Sequence, residues 1–124
     1  MYKGVINAAT AVTAGTDIPF VDVIGNAQGG ALALPVGLWD VDVDLVVTGV
    51  AGTTLTAQLY KNGVAVQEAQ ASHSIGTTVT IVTLPLHDIF PVVASIYPNV
   101  AKLSVRLNED ATINSGIITA RRIG

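Results

Sequence analysis

The chain has 124 residues, half of them hydrophobic and only 12% charged, against the roughly 25% usual in soluble domains. A formal net charge of −3 leaves no electrostatic footprint for nucleic acid, and the absence of cysteine excludes disulfides, thiol catalysis and thiolate metal sites. One domain of this length buries roughly two-thirds of its unfolded surface, and so few charges cover the remainder poorly, which predicts that part of it is buried in an assembly.

Residues 1–12, MYKGVINAATAV, read either as a first strand or as an extended docking arm; their apolar part is too short and too polar for a secretory segment. No later stretch approaches the roughly 18 apolar residues of a membrane span. Ala9 to Gly15 is small and Thr-rich, with a turn expected at Ala14-Gly15. In Thr16 to Ile24, Ile18 and Phe20 share one side, and Pro19, which cannot donate to a ladder, makes this an edge strand. GNAQGG (25–30) is a loop.

The organising stretch is LPVGLWDVDVDLVVTG, 34–49. At period two, Trp39, Val41, Val43, Leu45 and Val47 point one way, and Leu38, Asp40, Asp42, Asp44 and Val46 the other. Such alternation belongs to a half-buried strand, since a helix would scatter the three aspartates among the apolar residues. Trp39, the only tryptophan, is on the inward side, and Gly37 marks a close approach or bulge.

Thr54 to Tyr60 alternates again, with Leu55, Ala57 and Leu59 inward. Asn62-Gly63 is the strongest hairpin signal, because a type I′ turn needs positive φ at both central residues. Val64 to Ala69 is then the return strand, Gln70 to Gly76 a polar loop and Thr77 to Leu84 another strand. In 85–99, Pro91 and Pro98 exclude a long helix and leave room for one short turn of helix between them. Val100 to Leu107 alternates cleanly, Asn108 to Asp110 turns, and Thr112 to Ile123 closes the chain with a bulge expected at Gly116. The result is a single all-β domain over 1–124, an antiparallel β sandwich or jelly roll of seven to nine short strands.

The candidates for chemistry are few. Asp40, Asp42 and Asp44 imitate the start of an EF-hand loop, but Leu45 and Ala51 stand where that loop needs Gly and Glu. On a strand the three carboxylates are about 7 Å apart in steps, too far for one ion to take all three. They read as a solvated face, with a cation site across a subunit boundary or an acidic docking stripe as the functional alternative. His87-Asp88 invites a triad with Ser95, Ser104 or Ser115, yet no serine sits in a Gly-x-Ser-x-Gly elbow. His73 and His87 match no metal template and read as loop residues with solvent-facing rings. Arg121-Arg122 is a small basic patch at a strand end. Tyr60 and Tyr97 are of the type that stacks on sugar rings. No phosphate-cradling glycine motif is present.

Three segments, TAGTDIPF (13–20), LPVGLWDVDVDLVVTG (34–49) and TTLTAQLYKNGVAVQEAQAS (53–72), carry a resemblance. Their order resembles a TNF-like jelly roll, and is similar to the small trimeric jelly-roll domains of bacteriophage virion proteins and of Firmicute surface proteins with collagen-like stalks. Pro35, Gly37 and Trp39 match the strand start of that group. Leu59, Tyr60, Lys61, Asn62, Gly63, Val64 and Val66 match its hairpin, and Asn114 to Ile123 its closing strand. The chain departs from the pattern at 85–99, which is longer and more apolar, and at Glu68-Ala69. The resemblance implies a homotrimer and carries over no catalytic residue, metal or cofactor. It implies a non-enzymatic structural protein of a phage particle, made in the bacterial cytoplasm, serving as a capsid decoration or a head- or tail-fibre knob beside other virion proteins. The alternative is a carbohydrate- or receptor-binding adhesin head whose groove is lined by Tyr60, His87, Tyr97, Asp40, Asp42 and Asp44.

Overall fold

The computed structural model describes residues 2–24, 27–28, 31–78, 80–93 and 100–124. They form the strands β1 (Tyr2–Ile6), β2 (Thr10–Val12), β3 (Val21–Ile24), β4 (Ala27–Gln28), β5 (Ala31–Pro35), β6 (Gly37–Thr48), β7 (Thr54–Lys61), β8 (Val64–Ser74), β9 (Ile81–Val92), β10 (Val100–Leu107) and β11 (Ala111–Arg122). Nine of these have four residues or more; β2 and β4 are short pieces. No helix occurs among the described residues, and all pairings are antiparallel.

The strands stack as two sheets. The first runs β3-β1-β11-β6-β9, with β2 also on β11, and the second β4-β5-β10-β7-β8. Between them is the single apolar core that alternation predicts. Trp39, Val41, Val43, Leu45 and Val47 of β6 are all at most 2% exposed, and Leu55, Ala57 and Leu59 of β7 face them fully buried. Trp39 donates its indole N–H to the Pro35 carbonyl (2.9 Å) and meets the Tyr2 ring edge-on at 5.2 Å. Its only polar atom is thus satisfied, as burial requires.

The segment before β3 laces the sheets together. The Gly15 and Ile18 amides donate to Leu107 and Val105 of β10 in the second sheet, and the chain then enters β3 at the edge of the first. Ile18 (0% exposed) and Phe20 (5%) close the core beneath this crossing. Asn62 (φ 53°) and Gly63 (φ 79°) form the expected left-handed pair at the β7–β8 turn.

Several expectations need correction. The amino-terminal residues are not a free arm: β1 is hydrogen-bonded on both sides, to β11 and to β3. The polar run after Ala69 is not a loop but the second half of β8. As a sheet edge with little buried face, that strand needs no apolar alternation, so periodicity misses it. Residues 85–92 belong to β9, while Ser95 and Tyr97, and with them most of the stretch between Pro91 and Pro98 that has room for a helical turn, lie outside the described residues. β9 is also an edge, where Pro85 and Pro91 are tolerated because their missing N–H groups face no neighbouring strand. The β11 bulge falls between Ile113 and Ser115 rather than at Gly116. Gly116 has a different reason: a Cβ there would come within 2.8 Å of Leu45 Cδ2.

Candidate functional site

Each sheet turns one face away from the core, and the candidate residues divide between those two faces. On the first sheet, the register of β6 with β9 and β11 sets Asp42 between His87 and Thr119, and Asp40 between Ile89 and Arg121. Directly opposed and diagonal side chains on such a face are close enough to touch. The His87 ring accordingly reaches diagonally, its Nε2 2.7 Å from Asp40 Oδ1, while Arg121 Nη2 donates to Asp40 Oδ2 at 3.4 Å. Both oxygens of Asp40, the most covered member at 18% side-chain exposure, are therefore engaged.

His73 and His87 are strand residues of β8 and β9, not loop residues as expected, although both are exposed. His87 takes Asp40 as its carboxylate rather than its neighbour Asp88, because consecutive strand residues leave opposite faces. One ligand atom from each of Asp40, Asp42 and His87 lies within 4.8 Å of the others, so these three are the described residues that could share a cation. Asp44 is not among them. Strand spacing alone separates the aspartates; the cross-strand imidazole that joins two of them has no local signal.

The same face also carries exposed apolar side chains. Leu38 is 36% exposed opposite Pro91, and Ile89 is 49% exposed opposite Asp40. Leu38 exchanges backbone hydrogen bonds with Ile123 and Gly124, bringing exposed Ile123 to the same end. Arg122 is turned toward the Gly124 carbonyl (3.3 Å), so the expected basic patch is split between Asp40 and the chain end.

Tyr60 is on the other sheet. The expected single groove of Tyr60 with His87 and the aspartates does not form, since β7 and β6 belong to different layers and each turns these residues away from the shared core. Tyr60 instead neighbours Arg106 of β10, whose guanidinium lies 4.4 Å from the ring centroid and donates through Nε to Asp17 at 2.8 Å. The hydrogen bond to Asp17 raises the Arg106 pKa; burial opposes this, and the charge of Asp17 and contact with Tyr60 add to it. A cation whose pKa rises on folding keeps that stabilisation below its unfolded pKa and loses it only in strong alkali, so the guanidinium stays charged around neutrality.

Asp17 and Arg106 are functional candidates that sequence reading missed. They are brought together only because 15–18 runs beside β10.

No family model and no curated protein matches the sequence. Solved structures match in shape. Eiger TNF from S. frugiperda superposes with a TM-score of 0.72 at 10% identity, over 99% of this chain and 93% of that one. Murine APRIL at pH 5.0 gives 0.66 at 11%, over 95% and 98%. PRD1 vertex protein P5 gives 0.58 at 14%, over 99% and 72%. Identities this low speak for architecture alone, and the architecture is that of a TNF-like jelly roll.

Proposed function

We propose that this chain is a non-enzymatic structural protein that works as a homotrimer on the surface of a bacteriophage particle, as a capsid decoration or a head- or tail-fibre knob. The observation that carries the reading is the outer face of the first sheet. It exposes Leu38, Ile89 and Ile123 beside the His87–Asp40–Arg121 contacts, in a chain with only 12% charged residues. Large exposed apolar groups suit a self-complementary contact, because burial there removes apolar area from water. The likeness to TNF-like proteins supports self-association, and the likeness to a PRD1 vertex protein supports a place on a virion beside other capsid or fibre proteins.

Light scattering of the purified chain should give a mass of three protomers of 12.7 kDa each. A monodisperse single protomer at micromolar concentration would remove the assembly. Gold-labelled antibody should decorate particles released by a strain carrying the gene; label confined to cells would remove the virion assignment while leaving the trimer standing.

A further inference from the structure

From the outer face of the second sheet we infer a binding site for a neutral oligosaccharide, centred on Tyr60, Gln58 and Arg106. An open groove of about 480 Å³ is lined by these residues together with Ala14, Thr56 and Asn108. That volume falls in the roughly 300–1,000 Å³ range of small-molecule sites.

The chemistry of the lining selects among ligands. Arg106 is neutralised by Asp17, so the groove has no net charge to offer a phosphate or a carboxylate. The Arg106 guanidinium, which donates, and the Tyr60 hydroxyl, which can give or accept, both line the groove and complement sugar hydroxyls, each of which both gives and accepts. The Tyr60 ring and Ala14 supply apolar surface for the C–H face of a pyranose. A peptide is less well served: the groove crosses the face of a sheet and not its edge, and strands β7 and β10 already have neighbours on both sides.

The site is also held still before any ligand arrives. The Gln58 amide donates to the Leu59, Val66 and Ala69 carbonyls and so spans the irregularity where β8 leaves register with β7. Asn108 accepts from the Thr56 amide (2.7 Å) and donates to the Thr54 carbonyl (2.9 Å). The Thr56 and Ser72 hydroxyls are 2.7 Å apart, and the Arg106 guanidinium pins the Tyr60 ring. Side chains fixed in this way lose little entropy on binding, which matters most for weakly held, heavily hydrated ligands. The groove is built within one protomer and does not depend on assembly.

The test is an amide-shift titration of the isotope-labelled full chain with maltotriose, cellotriose, chitotriose and lactose, each separately, and with 3′-sialyllactose and a random pentapeptide mixture. At least one neutral sugar should give saturable shifts at Thr56, Gln58, Tyr60, Arg106 and Asn108. Tyr60→Ala and, as a gentler change that retains the charge opposite Asp17, Arg106→Lys should each weaken that binding by about tenfold or more with the spectrum still dispersed. The inference is overturned if no neutral sugar moves these amides, or if neither substitution changes the affinity. It is equally overturned if only the sialylated sugar or only the peptides bind there.

Discussion

The two outer faces of this sandwich are made by the same alternation and end with different properties. On β6 and β9 the outward residues mix Leu38, Ile89 and the prolines with a short ion network through Asp40; on β7 and β10 they are Thr54, Thr56, Gln58, Tyr60 and Arg106. The first face still exposes apolar area, and the second is polar, with its Gln58 and Asn108 side chains tied to its own backbone. A surface of the first kind gains by excluding water from something large, whereas one of the second kind can exchange ordered water for a small polar ligand. A core shared by both sheets therefore leaves each outer face free to differ.

That independence can be broken from the inside. Trp39→Ala under the first face and Leu59→Ala under the second should cost about 3–5 and about 2–5 kcal/mol respectively, because both enlarge one core. Chemical denaturation with a single transition for each variant checks this. An unchanged midpoint for Trp39→Ala would mean that its ring is not part of that core.

From the outside the faces should part. Ile89→Asp sets a carboxylate opposite Asp40 and should weaken self-association by at least about 2 kcal/mol, the scale of a contact hot spot, reducing the scattering mass toward one protomer. The same change at exposed Thr54 on the second sheet should leave the mass unaltered. Thr54→Asp should keep the protomer's own stability to within about 0.5 kcal/mol, and Ile89→Asp should lower it by no more than about 1 kcal/mol through the opposed like charges. Loss of assembly by Thr54→Asp alone would assign the contact to the wrong sheet.

What the sequence made legible follows the same division. The inward rows of β6, β7 and β10 were readable because burial imposes period two, and the Asn62-Gly63 turn because only such residues accept its backbone. The second half of β8 and most of β9 were not, since an edge strand tolerates polar runs and proline that a central strand would refuse. Neither candidate site was readable as a site. His87 and Asp40 are 47 positions apart and Asp17 and Arg106 are 89 apart, so each pair exists only through register between distant strands.

The β7–β8 turn offers a milder test confined to the second sheet. Asn62 holds positive φ, accepts a hydrogen bond from the Lys102 amide at 2.7 Å and returns one from its own amide to the Lys102 carbonyl. Asn62→Ala should cost about 1–2 kcal/mol, the order of the left-handed penalty for a residue with a Cβ. Amide exchange should quicken in β7 and β8 while β6 and β11 keep their protection. Equal loosening of both sheets would show that the hairpin is coupled to the whole core.

The smallest expected effect is the most specific. Asp17 and Arg106 are each about a quarter exposed, so water screens their attraction and Asp17→Asn should cost no more than about 1 kcal/mol. Yet the same change removes the negative charge that neutralises Arg106, giving the groove a net positive charge while the Tyr60 ring keeps its cation. Binding should then swing from neutral toward acidic sugars, with 3′-sialyllactose gaining on lactose in the same titration. If stability falls by several kcal/mol instead, the pair is chiefly the clasp that fastens residues 15–18 to β10, and its place beside Tyr60 is incidental to binding.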